Sequence, residues 1–407
     1  MFYGRRTEFS QAVAKIAAKS GNDLKSRGRG IHLQISAKNK EDNKLFEKLT
    51  EKLDSHLKMG IPFYDCIVMH NGKCAFRHSN GYTDVKNKVR VTGKEIYNIY
   101  SCSKLITCTA ALQLREKGLI RLDDELCKYM PEFENMKVLT NGGVKPAENK
   151  ITVENLFTMT AGFSYNLDST EIKKCRSDTN GECPTRELMK YLAKEPLLFE
   201  PGYRWEYSLC HDVLAALVEV VSGMTFGEYA KKNIFDVCGM ENSKFLVSAD
   251  DMNKIVNQYR YDAESDRVVE CEKTNCYRLG TKYESGGAGC ISTVDDYIKF
   301  LETIRTYKLL KKETVDMLST NRLTKEQIEM PTYWVKDKRG FGLGQQCPWE
   351  GSTREDFGWG GAAGAHYFID RTRNLSVYLG THVLGYEKYQ NTRSEVTEIV
   401  QSIIDNR

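Results

Sequence analysis

The sequence predicts an α/β (α+β) fold in which both ends of the chain build one antiparallel sheet flanked by helices and the middle supplies an all-α lobe. Three observations point to it. Apolar residues at helical spacing open and close the chain, at residues 41–59 and 393–404. Strand-and-turn patterns cluster at residues 65–78 and 341–381. Residues 164–278, between them, read as mainly helical.

The opening helix carries Leu45, Leu49, Leu53 and Leu57 on one face and ends at Gly60 and Pro62. Residues 65–70 and 73–78 alternate as strands around Asn71-Gly72, the dipeptide of a type I′ turn, so a hairpin follows. A short extended run at 96–100 leads into Ser101, and from Cys102 the pattern turns helical through Leu105, Ile106, Ala110, Leu112 and Leu114 until Lys117-Gly118. Ser101 is thereby placed at a helix N-terminus. Residues 119–131 read as a polar loop, and Thr152 stands in capping position before Asn155 and Leu156. Helices follow at 186–193, 210–222 and 226–235, broken by Gly202, Gly223 and Gly239. After Gly286-Gly287-Ala288-Gly289 a helix at 294–306 has Ser292 and Thr293 three residues ahead of Asp295 and Asp296, a capping box with Asp in place of Glu. Strands at 341–346, 364–369 and 375–381 precede the last helix. The organisation expected is an N-terminal extension, 1–41, and a catalytic domain, 42–407. That domain divides into an α/β lobe (42–163 and 279–407) and a helical lobe (164–278), a boundary of the kind that ligand clefts favour.

Composition narrows the function classes. With 41% hydrophobic and 28% charged residues and only 8 prolines in 407, the chain is globular rather than disordered. A net charge of +4, dispersed except for Lys25, Arg27 and Arg29, gives no case for a nucleic-acid partner, and residues 19–40 read as a solvated tail rather than an anionic-surface contact. The first twenty residues include Arg5, Arg6, Glu8 and Lys15 and no signal-peptide core, and no later run reaches the length of a membrane span, so a cytoplasmic protein is expected. Thirteen cysteines, with Cys66, Cys108, Cys210 and Cys290 inside predicted elements, suit reduced thiols. The close pairs Cys175/Cys183 and Cys271/Cys276 lack zinc-ligand spacing, so neither metal nor cofactor is expected. Nothing in the sequence speaks to oligomeric state.

Chemistry concentrates in three segments. In Ser101-Cys102-Ser103-Lys104 a hydroxyl and an amine stand one helical turn apart, with Cβ atoms about 5 to 6 Å from each other. The helix dipole and burial both disfavour the ammonium form of such a lysine, which suits a base that takes the serine proton, and the Ser101 amide can serve as an oxyanion donor. Taken alone the motif reads equally as a capping serine with an exposed lysine, and the same spacing at Ser55 and Lys58 marks a surface pair. Tyr207, in Pro201-Gly202-Tyr203-Arg204-Trp205-Glu206-Tyr207-Ser208-Leu209, can relay protons from a loop, although a lone tyrosine is more often a core residue. Phe357-Gly358-Trp359-Gly360-Gly361-Ala362-Ala363-Gly364 has the glycines of an edge strand that a ligand or another backbone approaches closely, where the Ala362 amide can face the same oxygen as that of Ser101, although any one glycine reads equally as a tightly packed bulge with no substrate. His211 reads as structural.

Taken in order, these segments resemble the serine β-lactamase and penicillin-binding-protein superfamily, particularly class C β-lactamases and family VIII carboxylesterases. Met69-His70-Asn71-Gly72-Lys73, Gly81-Tyr82-Thr83-Asp84, Leu156-Phe157-Thr158-Met159-Thr160-Ala161-Gly162 and Gly286-Gly287-Ala288-Gly289 extend the likeness from about residue 42 to the C-terminus. The resemblance implies a β-lactamase/transpeptidase-like fold, a nucleophile at Ser101, proton handling by Lys104 and Tyr207, and an oxyanion hole from the amides of Ser101 and Ala362. It also implies substrate contacts at Trp359, Gly360, Gly361 and Leu209. Two departures bear on substrate: Leu209 stands where β-lactamases usually carry Asn, and Trp359-Gly360-Gly361 where they carry Lys-Thr-Gly. Without that lysine a substrate carboxylate loses its cation, so the expected partner is a small neutral acyl ester. The rival readings are a β-lactamase or D-amino-acid-specific peptidase on the same residues, an acyltransferase, and a catalytically idle sensor of acyl ligands.

Overall fold

A computed structural model describes residues 45–335, 339–349 and 355–406. The expected extension at 1–41, with Lys25, Arg27 and Arg29, lies outside them. Helix α1, Glu47–Lys58, buries Leu49 and Leu53, as its spacing requires. Strands β1 (Phe63–His70) and β2 (Lys73–Asp84) form the expected hairpin. Asn71 and Gly72 have φ of 51° and 74°, the two positive values a type I′ turn demands. β2 then pairs with the two-residue strand β3, Val89–Arg90.

One stretch of the middle segment forms strands where the sequence reads as mainly helical. Gln258–Asp262 (β4) and Arg267–Cys271 (β5) form an antiparallel hairpin, and β4 also pairs in parallel with Val383–Leu384. Tyr259, Tyr261, Val268 and Val269 are strand formers, and the Tyr259 hydroxyl donates to the Thr83 carbonyl at 3.1 Å, so tertiary pairing fixes the strand. The helix expected at 226–235 is α-helical only over Phe226–Ala230 and continues as a π-turn, Lys231–Phe235.

Towards the C-terminus come β6 (Gly340–Phe341), β7 (Gln346–Cys347), β8 (Phe357–Gly360), β9 (His366–Asp370) and β10 (Leu375–Gly380). The single strand expected at 341–346 is split into β6 and β7 by a turn in which Gly344 takes φ 88°. The main sheet runs β6-β7-β8-β9-β10-β1-β2-β3 with antiparallel neighbours, so the two chain ends meet at its centre, Val68 facing Val377 and Ile67 facing Tyr378. β8 is therefore not an edge strand. β6 and β7 cover it, each too short to leave a sequence signal.

The alternation of β1 and β10 splits the core. Cys66, Val68, Val377 and Leu379 face α1 and the C-terminal helix Arg393–Asp405. Ile67, Met69 and Tyr378 face the larger core that contains Ser103–Glu116 (α2), Cys210–Ser222 (α3) and Val294–Arg305 (α4). Thr293 caps α4, its hydroxyl accepting from the Asp296 amide at 3.0 Å, whereas Ser292 pairs with Ser243 instead. Thr152 caps its helix as the sequence predicts, and the Asn155 side chain returns the bond to complete a capping box.

Candidate active site

Ser101 lies in a 3₁₀ turn, Tyr100–Cys102, that leads directly into α2. The turn is entered through Tyr100, held at φ 47° and buried, with its phenol donating to Gln258 Oε1 at 2.6 Å. A left-handed non-glycine residue costs on the order of 1–3 kcal/mol and persists where its surroundings over-determine it. Here that conformation turns the chain so that Ser101, 9% exposed, opens on a cleft.

The Tyr207 phenol, 106 residues away in sequence, donates to Ser101 Oγ at 2.7 Å. Its ring stacks on Tyr165 at 5.5 Å and on Trp359 at 5.7 Å, and the Trp359 indole N–H donates to the Tyr207 oxygen at 3.3 Å. Lys104 is wholly buried. Its Nζ donates to the Gly287 carbonyl at 2.8 Å and lies 4.5 Å from the centre of the Tyr207 ring. The amine thus meets the phenol ring, while the hydrogen bond to Ser101 belongs to Tyr207. Ser101, Lys104 and Tyr207 converge as the sequence analysis expects, but with phenol, not amine, nearest the hydroxyl. Ser55, the other serine with a lysine three residues on, donates to the Lys52 carbonyl at 2.6 Å on α1, far from any such partner set.

The cleft, about 570 Å³, is lined by Ser101, Tyr207, Tyr277, Trp334 and Trp359, with Gly360, Gly361 and Ala362 along one wall. Ala362 sits in the turn between β8 and β9 rather than on a strand. That turn is held by the Gly361 amide on the Ala365 carbonyl at 2.8 Å and by Arg393, which donates to Ala365 at 2.7 Å and to Gly361 at 3.2 Å. A Cβ on Gly360 would stand 2.5 Å from the Arg393 guanidinium, so glycine is what permits the clamp. Arg393 and Tyr277 carry no motif in the sequence, since they reach the cleft from the last helix and from a loop beyond the β4–β5 hairpin.

Leu209, expected to contact substrate, does not line the cleft. It is 2% exposed and packed in the core, because it is the last residue before α3 and its carbonyl accepts from Asp212 and Val213 as the helix starts. His211 is buried beside Phe157, whose carbonyl lies 3.2 Å from its Nε2, and burial lowers its pKa to about 3. Below its unfolded pKa the unfolded chain takes up a proton that the native state refuses. The stability advantage of wild type over His211→Asn is therefore expected to shrink as pH falls from 6.5 toward 3, by up to roughly 1.4 kcal/mol per pH unit. Thermal unfolding of both across that range checks it, and parallel curves would contradict it.

All thirteen cysteines are free thiols, Cys175 and Cys183 with sulfurs 3.3 Å apart. Among the described residues no cluster of His, Cys, Asp or Glu could hold a metal ion, and no single helix is long and apolar enough to cross a membrane.

A serine hydrolase is the class of protein that the fold and its relatives define. A family model described as Beta-lactamase matches residues 51–400, and the chain belongs to that family. Its relatives include the lovastatin esterase of Penicillium rubens, 30% identical over 69% of this chain and 78% of the relative. Esterase EstB of Burkholderia gladioli is 26% identical over 78% of this chain and 84% of its own. Among solved structures, unliganded simvastatin synthase (LovD) of Aspergillus terreus, a selenomethionyl derivative, shares the fold with a TM-score of 0.71 at 22% identity, over 90% of this chain and 99% of its own.

Proposed function

We propose that this chain hydrolyses small neutral acyl esters through a covalent acyl-enzyme on Ser101. The observation that carries the reading is the 2.7 Å hydrogen bond between Tyr207 and Ser101 at the floor of a cleft. With Tyr207 ionised, its oxygen takes the serine proton as Oγ attacks the acyl carbonyl, and the ammonium of Lys104 beneath the ring and the indole N–H of Trp359 offset the charge on the phenolate. The amides of Ser101 and Ala362 receive the developing oxyanion. Tyr207 then returns the proton to the leaving alcohol, and water repeats the sequence to free the acid.

Substrate class follows from the lining. Trp359 and Trp334 present apolar faces where a carboxylate-binding lysine would stand, and the Arg393 guanidinium is occupied by three backbone carbonyls, those of Gly361, Ala365 and Gln390. Relatives named as esterases support the same choice. Thirteen free thiols suit a reducing compartment, and we place the enzyme in the cytoplasm.

A substrate panel tests the reading. Short p-nitrophenyl esters are expected to show kcat/KM at least about 100-fold above nitrocefin and D-alanyl peptides, a difference of about 2.7 kcal/mol in transition-state binding. A higher kcat/KM on either of the latter would overturn the ester assignment.

A further inference from the structure

We propose that Asp212 is a positioning residue for this reaction, a buried carboxylate that holds Lys104 as an ammonium against the Tyr207 ring and so keeps the phenol able to act as the base. The inference rests on the roles of Ser101, Lys104 and Tyr207 given above.

Asp212 is the third residue of α3 and is 1% exposed. Its Oδ1 accepts from the Tyr283 hydroxyl at 2.9 Å and the Ser285 hydroxyl at 2.7 Å. Its Oδ2 is buried beside the Gly287 backbone, and the Gly287 amide helps to hold the carboxylate down. A Cβ built on Gly287 would lie 2.5 Å from Oδ2 and 3.3 Å from Lys104 Nζ. The two charges therefore flank one glycine and stand at most about 6 Å apart, within the range where an opposite charge favours the ionised form.

The segment that separates them also ties them together. Gly287 gives its carbonyl to the amine, and the Ser285 hydroxyl that donates to Asp212 accepts from the Ala288 amide at 3.0 Å. An ammonium has three protons to place, and among the described residues this one has one hydrogen-bond acceptor, so a buried counter-charge offsets the cost of holding it there.

The other titratable groups around the pair supply no charge near neutral pH. Burial lifts the thiols of Cys102, Cys108 and Cys210 and the phenols of Tyr165, Tyr277 and Tyr283 above their ordinary values, and it pushes His211 far below its own. The remaining neighbour, Tyr207, is the group the pair acts on. Asp212 itself is pulled up by burial and held back by Ser285, Lys104 and Tyr283.

The test is Asp212→Asn in the full chain, which keeps an acceptor for Tyr283 and Ser285 but removes the anion, assayed on p-nitrophenyl butyrate across pH. Without the anion the amine loses its counter-charge, and the phenolate loses the support of the cation beneath its ring. The expected result is a fall in kcat of about 30-fold at pH 7 with KM changed less than about threefold. The acid limb of kcat/KM should move up by about one pH unit or more, and Asp212→Glu should return it toward the wild-type position. An acid limb that stays in place, whether or not thermal stability drops, overturns the proposal and leaves Asp212 a structural residue.

A thermal-unfolding cycle gives a second reading that does not depend on the single Asn variant folding. Lys104→Met alone strands a buried carboxylate and should lower Tm, and adding Asp212→Asn to it should raise Tm again. Absence of that coupling also overturns the proposal. Loss of the underlying reading is recognised separately, by a fluorophosphonate that leaves Ser101 of wild-type protein unlabelled.

Discussion

Ser101→Ala is expected to abolish ester hydrolysis, by a factor on the order of 10⁴ to 10⁶ in kcat, while leaving the fold unchanged. The size follows from the role. An acyl-enzyme route has no substitute for the attacking oxygen, and what survives is the contribution of the oxyanion donors and of binding. Stability should hold because Oγ makes one described side-chain hydrogen bond, to Tyr207, and the residue borders the cleft rather than the core. p-Nitrophenyl butyrate turnover and thermal unfolding, measured together, check it. A variant with more than about one hundredth of wild-type kcat would show that the nucleophile lies elsewhere.

Tyr207→Phe has the second largest expected effect, a fall in kcat of about 10² to 10⁴ with KM nearly constant. Phenylalanine keeps the ring between Tyr165 and Trp359 and above Lys104, so packing and the position of the amine are preserved. It removes the oxygen that bonds Ser101 and accepts from the indole of Trp359. Steady-state kinetics over pH decide the point, and a kcat within tenfold of wild type would hand the proton transfer to Lys104 acting directly.

That choice between phenol and amine is where the sequence stops being informative. The one-turn spacing of Ser101 and Lys104 predicts that they share a helix face, and both do meet Tyr207, although Ser101 lies in the turn ahead of α2; spacing says nothing of where a long side chain ends. The Lys104 amine is drawn under the Tyr207 ring by the Gly287 carbonyl, which arrives from a segment 183 residues distant. The Asn71-Gly72 hairpin and the leucine spacing of α1 were legible because turn chemistry and helix periodicity are local. The β4–β5 hairpin was not, since its strand character comes from pairing with Val383–Leu384 and from the bond of Tyr259 to Thr83. Leu209 misled for a related reason: its neighbour Tyr207 enters the cleft, but two residues on the chain has begun α3 and turns an apolar side chain inward. Arg393 reaches the cleft wall through proximity across elements, and that is not written in the residues beside it.

The central claim is that substrate becomes covalently attached at Ser101. Acid-quenching the wild-type enzyme during turnover of a slowly released acyl ester, then measuring intact mass and mapping the modified peptide, tests it most directly. The prediction is one acyl group per chain, carried by Ser101 and absent from Ser101→Ala. An unmodified enzyme under turnover, or an acyl group on another residue such as the exposed thiol of Cys276, would contradict it.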